Sequence, residues 1–430
     1  MDSLLKRAPP TLPSDDGFYK VPQNIASFAN GAVIRHRKTP NQIASLGKFP
    51  LNLASAHQIL YKTMDSLDQP TATVLTVLIP HFADTRKILS YQTAEDASNI
   101  NCAPSYAFQL ESGAALVNTV PQGELLLIQA ALEKRWIVIV PDYEGPKGAF
   151  LSNKLAGHAI LDGIRASLKS GSFTGIDAKN KPTTTLWGYS GGGQASMWAA
   201  ELQPVYAPEL QIAGLAAGGV ISKISTVLDM VNGKESAGLL AVGLHGLSHQ
   251  YSEIKSIIDK NIRPASRANY TKANNQCSSD NLAYFAGEDV LGWFKNPDLI
   301  RQDKTAKSIM SSNDLGQRAP KVPMFIYKGV QDEISPISEA DVLIASYCAR
   351  GSIIQYERDR TANHSLMAIA GAPAALWWLQ DRMEGRPNSN TACNIYTVES
   401  SWLNPQSLLS LPWYIVNSLL GLLGKPVGVL

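Results

Sequence analysis

Apolar residues fall along this chain in short runs separated by segments of helical periodicity. Ala32–Arg37 reads as a first strand. Runs follow at Ala54–Tyr61 and at Ala72–Ile79, the latter rich in β-branched residues and stopped by Pro80. Gly123–Lys134 repeats its apolar positions at helical spacing, and Trp136–Val140 is a wholly apolar strand. The same alternation continues downstream. Helices are predicted at Ala156–Lys169, Gly192–Leu202, Ile337–Ala349 and Ser365–Met383. Strands are predicted at Thr183–Trp187, Ile212–Ala217, Val322–Tyr327 and Ile353–Glu357. Short apolar strands alternating with helices imply a mostly parallel sheet buried on both faces.

One stretch breaks the alternation. Residues 221–315 carry helical patterns, such as Ile224–Met230, Ala237–Leu247 and Tyr251–Ile258, with no convincing strand. They read as a helical insertion, placed where a cap or lid can sit. The chain then divides into an N-terminal arm (1–45), a first core part (46–220), the insertion (221–315) and a second core part (316–430). The tail Leu408–Leu430 is apolar but broken by Pro412 and Pro426, and reads equally as a flap over the site or as a docked end.

With 430 residues, 45% of them hydrophobic and 17% charged, the chain has ample material for a core. A net charge of +2 without basic runs offers no nucleic-acid surface. No apolar run is long enough for a transmembrane helix. Met1-Asp2-Ser3-Leu4-Leu5-Lys6-Arg7 lacks the apolar region of a signal peptide, which fits either an intracellular chain or one without its leader. The cysteines Cys102, Cys277, Cys348 and Cys393 show no zinc spacing, so no metal is expected. Their even number suits two disulfides and four free thiols equally.

The sharpest chemical signal is Gly188-Tyr189-Ser190-Gly191-Gly192, between a strand and a helix. That context is the nucleophile elbow of the α/β-hydrolase fold: a serine in a strained turn, with small neighbours so that strand and helix approach closely. Ser190 is the candidate nucleophile. The N–H of Gly191, at the helix start, is placed to bind a developing oxyanion. A serine needs a base, and the base an orienting acid, in the chain order Ser, acid, His. Of seven histidines, His36, His57, His81 and His158 precede Ser190, while His245 and His249 fall in the insertion. His364 lies in a loop after a late strand and is the candidate base. Asp332, in the turn after Val322–Tyr327, is the candidate acid, with Glu333 as its competitor. Glu333 is expected to be a solvated neighbour, and Pro336 to open the next helix.

Several segments together resemble the fungal secretory lipase family. They are Leu12-Pro13-Ser14-Asp15-Asp16-Gly17-Phe18-Tyr19, Asn101-Cys102-Ala103-Pro104-Ser105-Tyr106, Val140-Pro141-Asp142-Tyr143-Glu144-Gly145, Gly157-His158-Ala159-Ile160-Leu161-Asp162, the Ser190 elbow, Asp332 and His364. The resemblance implies an α/β-hydrolase with a lid-like cap over an acyl tunnel and no cofactor. It also implies the triad Ser190–His364–Asp332, with Asp96 beside Gly191 at the oxyanion hole. It pairs Cys102 with Cys277 and Cys348 with Cys393, and it places the protein outside the cell. Beside an oxyanion Asp96 can help only through its backbone N–H or as a protonated acid. The expected reaction is hydrolysis of lipid or small acylated esters, a deacetylase included, with transient contact to a lipid surface. Acyl transfer by the same triad is the alternative, and an inactive binding protein a remote one. Oligomeric state is not legible. Of two glycosylation sequons, Asn269-Tyr270-Thr271 and Asn363-His364-Ser365, the second overlaps the candidate base.

Overall fold

The computed structural model describes residues 8–113, 119–386, 391–405, 416–417, 419–421 and 423–429. Ten strands form one sheet: β1 (Val33–Lys38), β2 (Ser55–Met64), β3 (Pro70–Ile79), β4 (Asp84–Gln92), β5 (Trp136–Pro141), β6 (Thr183–Tyr189), β7 (Ile212–Gly218), β8 (Met324–Gly329), β9 (Ile354–Asp359) and β10 (Asn394–Val398). Their spatial order is 1-2-3-5-4-6-7-8-9-10. The first three pairings, from β1 through β3 to β5, are antiparallel. Every pairing from β5 onward is parallel. This is the α/β-hydrolase arrangement, with its C-terminal strand ends gathered on one edge.

The wholly apolar strands are explained by burial on two faces. In β5, Ile137 and Ile139 join one core while Trp136, Val138 and Val140 join the other. β8 divides likewise, Met324 and Ile326 against Phe325 and Tyr327. The first core is closed by helices Asn153–Leu168, Gly191–Tyr206 and Ile337–Ala349, the second by Thr119–Glu133 and Ala372–Met383. A period-2 alternation of side chains thus reads as a continuous apolar run, because both faces are dry.

Three features differ from the sequence expectation. β4 was not anticipated, although it lies centrally between β5 and β6. Its first half, Asp84-Thr85-Arg86-Lys87, is polar and only partly buried, so no apolar period announces it. Among the described residues β10 pairs only with β9 and is largely exposed, which leaves it equally without pattern. The helix expected over Ser365–Met383 is two helices, His364–Ala370 and Ala372–Met383. The break falls at Gly371, with Pro373 in the first turn of the second helix, where its missing N–H costs nothing.

Between β7 and β8 the chain forms helices that include Ile224–Val231, Ala237–Gln250, Ser252–Asn261 and Lys304–Ser312. They enclose a core of their own, built on Leu228, Leu244, Ile258, Phe285, Trp293 and Met310. The ends of this excursion meet: Leu315 N–H donates to Ser222 O at 3.0 Å, and Ile224 N–H to Asp314 Oδ1 at 2.8 Å. No helix among the described residues is long and apolar enough to cross a membrane. Lys6, Arg7 and much of the apolar tail lie outside the described residues. The described end docks on the body, where Val427 N–H donates to Asn52 O and His81 N–H to Val427 O, both at 2.9 Å.

All four cysteines are paired, Cys102 with Cys277 and Cys348 with Cys393. The first bond closes a 175-residue span and joins the segment after β4 to the helical excursion. Peptide mapping without reduction should recover both linked pairs. Replacing Cys102 and Cys277 together by Ala should lower stability by about 2–4 kcal/mol in denaturant unfolding, since it frees a long loop in the unfolded chain. Unchanged stability would show that the bond constrains nothing.

Candidate active site

Ser190 directly follows β6 and caps the helix Gly191–Tyr206 with φ 52° and ψ −122°. A residue with a Cβ holds this conformation only where its surroundings enforce it. Here Ser190 N–H donates to Gly218 O of β7, and Ser190 O accepts from Gln194 N–H, both at 2.9 Å. The flanking glycines are a matter of space. A Cβ on Gly188 would strike Gly192 O, and one on Gly192 would strike Gln92 O at the end of β4. The turn is therefore wedged between two strands, and the first N–H groups of the helix lie beside the Ser190 hydroxyl.

His364 is the first residue of the helix His364–Ala370, after Asn363, whose side chain accepts from Leu366 N–H at 2.9 Å. Its Nε2 lies 2.8 Å from Ser190 Oγ and its Nδ1 lies 2.8 Å from Asp332 Oδ2. An ionised carboxylate only accepts, so Nδ1 carries the proton and Nε2 presents its lone pair to the serine. The histidine backbone is pinned as well. Its N–H donates to Glu333 Oε2 at 2.9 Å, and its carbonyl accepts from Tyr189 OH at 2.5 Å.

Asp332 sits in the turn after β8 with its carboxylate out of water. Oδ1 accepts from Ile334 N–H at 3.0 Å and Ser335 N–H at 2.8 Å, while Oδ2 accepts from His364 and from Lys328 Nζ at 2.7 Å. Burial alone would raise its pKa. The hydrogen bond and charge of His364, with the Lys328 ammonium, outweigh burial and hold the carboxyl well below the usual range.

Asp96, in the loop after β4, has φ 43° and is buried. Its carboxyl lies against Gly191, so close that a Cβ there would meet Oδ1. Oδ1 has no hydrogen-bond partner among the described residues. The Asp96 N–H is directed to the Glu144 carboxyl, which also accepts from Ala97 N–H at 3.3 Å. Burial pushes the Asp96 pKa up to about 6, opposed by the proximity of His364. Further buried carboxyls brace this loop. Glu124 accepts from Ala94 N–H at 2.9 Å, and burial raises it to about 8. Asp142 accepts from Ser105 N–H and Oγ at 2.9 and 2.5 Å, and burial raises it to about 7. Burial raises Glu95 and Glu144 too, aggravated in Glu95 by Asp142 and Asp96 and in Glu144 by Glu95 and Asp96.

A cavity runs from Ser190 and Asp96 into the helical excursion. Ile224, Leu228, Leu240, Leu244 and Met310 are among its walls, and apart from Ser190 and Asp96 its lining side chains are apolar.

The structure thus brings together Ser190, His364 and Asp332, and sets Asp96 and Gly191 beside them. Glu333 departs from expectation: it is exposed, yet its carboxylate fastens the His364 backbone, so it is not merely solvated. Pro336 precedes the helix Ile337–Ala349 as its cap rather than opening its first turn. His245 and His249 face backbone carbonyls of Tyr270 and Gly148 at 2.5 and 3.2 Å. Lys328, Glu124 and Glu144 were not singled out from sequence. Lys328 had a readable signal, a lysine inside the otherwise apolar Met324-Phe325-Ile326-Tyr327 run, four residues before the acid.

Comparison with known proteins gives one consistent answer. The family model described as secretory lipase matches residues 110–391. Lipase A of Arthroderma benhamiae is 44% identical over 423 residues, covering 97% of this chain and 90% of that protein. Lipase 2 of Candida albicans is 37% identical, covering 96% and 90%. The crystal structure of Candida antarctica lipase A in its closed state superposes with a TM-score of 0.80 at 30% identity, covering 89% of each chain. The esterase LipA of Xanthomonas oryzae shares the fold at 16% identity, with a TM-score of 0.58 and coverage of 83% and 97%. The chain belongs to the secretory lipase family and is a carboxylic ester hydrolase.

Proposed function

We propose that this enzyme hydrolyses esters of long-chain acids through an acyl-enzyme on Ser190. The observation that carries the reading is the position of the Ser190–His364–Asp332 relay at the mouth of an apolar cavity. Ser190 Oγ attacks the ester carbonyl as His364 Nε2 takes its proton, and Asp332 holds the imidazole in the tautomer this requires. His364 then protonates the departing alkoxide, and a water deprotonated by His364 releases the acid. The Gly191 N–H and the Asp96 carboxyl face the oxyanion. With its own N–H turned to Glu144, Asp96 serves through its side chain as a neutral acid. Its pKa of about 6 keeps it protonated in mildly acidic solution.

The apolar walls support a long acyl chain over an acetyl group, because each buried methylene adds binding that a short chain forgoes. The same relay would also carry an acyl group to an alcohol. No nucleic acid or resident cofactor enters the scheme. The second partner is a lipid surface delivering the substrate. Membership of a secretory family and two disulfides support action outside the cell.

A panel of esters from acetyl to long-chain, assayed dispersed and in solution, tests the reading. The Ser190→Ala protein serves as the blank. We expect kcat/KM to rise with chain length and Ser190→Ala to lose several powers of ten. A preference for acetyl esters would turn the assignment toward a deacetylase. Retention of a few per cent of activity by Ser190→Ala would remove it from the mechanism.

Asp332→Asn should cost on the order of thousands-fold in kcat with little change in KM, since the amide favours the wrong tautomer. Glu333→Gln keeps an acceptor for the His364 N–H and should be mild. If the two results are reversed, the acid is Glu333.

Asp96 gives a pH dependence with a definite sign. A carboxyl raised to about 6 is neutral below that pH and charged above it, and the charge repels an oxyanion. Activity should therefore decline as pH rises through about 6. Asp96→Asn, which donates without titrating, should remain within about tenfold of the parent and lose that decline. An unchanged alkaline limb in Asp96→Asn would show that Asp96 is only structural.

A further inference from the structure

Lys328 has no place in the scheme so far. It is the fifth residue of β8, and its side chain is wholly buried. A lysine without water around its ammonium is costly unless that charge is matched. The match is unusually specific. Nζ donates to Asp332 Oδ2 at 2.7 Å and to Val220 O, in the loop after β7, at 3.2 Å. Oδ2 is the same atom that receives His364 Nδ1–H at 2.8 Å. Burial lowers the lysine pKa, and the Asp332 carboxylate opposes that and favours the ammonium. One carboxylate oxygen is shared between this ammonium and the imidazole that must become a cation during catalysis.

We infer that Lys328 is a positioning residue that makes protonation of the resting relay unfavourable and so extends the enzyme's activity into acid. The inference rests on the reading of Ser190, His364 and Asp332 as the working triad. Nζ and Nδ1 each touch Oδ2 and so lie within about 6 Å of one another, where like charges inside a protein still repel. An imidazolium formed from solvent meets that repulsion before any substrate binds. The imidazolium formed during attack meets it too, but is balanced by the oxyanion created in the same step. The ammonium therefore weighs more heavily against the idle charged state than against the reacting one.

The other groups around the histidine do not supply this effect. Glu333, on the Asp332 turn, is an acceptor at the His364 N–H and favours positive charge. Asp96, across the serine, acts on His364 in the same direction when ionised. Tyr189 on β6 and Tyr356 on β9 face the Asp332–His364 pair as neutral phenols, burial having raised each. Lys328 is the cation of this group. It also resolves a conflict within the site. Asp96 is useful only when protonated and His364 only when neutral, and an ammonium beside the imidazole eases the second demand without touching the first.

The test is the pH profile of kcat/KM on a soluble ester from pH 4 to 9, measured for the parent and for Lys328→Met. Active enzyme is counted at each pH by fluorophosphonate labelling of Ser190. The acid limb of Lys328→Met should move to higher pH by about one unit. At pH 5 its activity relative to the parent should then be lower than at pH 8, by up to about tenfold. A profile scaled down evenly, or an acid limb coincident with the parent's, would overturn the inference and leave Lys328 as a structural counter-ion. Lys328→Gln, which keeps a donor to Asp332 without charge, is measured alongside and serves alone if the methionine protein does not fold. It should show the same displacement, and a parental acid limb in Lys328→Gln would equally overturn the inference. Failure of the underlying triad reading looks different, because the parent enzyme itself would then resist labelling at Ser190.

Discussion

A carboxylate taken out of water has to recover its solvation from the protein, and Asp332 recovers it from four donors drawn from separate parts of the chain. Two are backbone N–H groups of its own turn, Ile334 and Ser335; the third is Lys328 of β8; the fourth is His364, brought in after β9. Val220, after β7, completes the shell of the lysine. Three neighbouring strands must therefore end at matching heights before one charge can be buried. The parallel register of β7, β8 and β9 meets this requirement, with Tyr327 opposite Gly218 and Glu357. The serine, at the end of β6, is held to the same edge through Gly218.

Equal burial produces opposite charge states a short way along that edge. Asp332 has its full set of donors and is ionised. Asp96, Glu95, Glu124 and Glu144 each keep a buried oxygen without a partner among the described residues, and burial raises all four. The site thus holds a permanent anion behind the histidine and a protonatable acid in front of the serine. The imidazole and ammonium beside Asp332, rather than depth or partner count, set the difference, since Asp142 has both oxygens bonded and is raised all the same.

Much of this was legible in the sequence because two strong local rules applied. Glycines around Ser190 have no use other than a close turn, and strand-then-loop context singled out Asp332 and His364 among their rivals. Apolar runs located the strands whose two faces are both dry. The unread parts share a cause: their meaning comes from partners distant in the chain. β4 begins with Asp84-Thr85-Arg86-Lys87 and is a central strand only because β5 and β6 flank it. Glu333 looked solvated because its exposure and its bond to a backbone N–H 31 residues away are compatible. Glu124 and Glu144 are ordinary acids until the loop after β4 is laid over them.

The helical excursion is fastened to the body at several separated places. One is the stem where Ser222 and Leu315 meet, and another is Cys277, bonded to Cys102 just beyond the Asp96 loop. Asn313 and His249 add hydrogen bonds to Asn153 and Gly148 of the core. Anchors that do not share one line leave a solid body no free axis of rotation. Any widening of the apolar cavity these helices wall therefore requires bending within them or the breaking of those bonds.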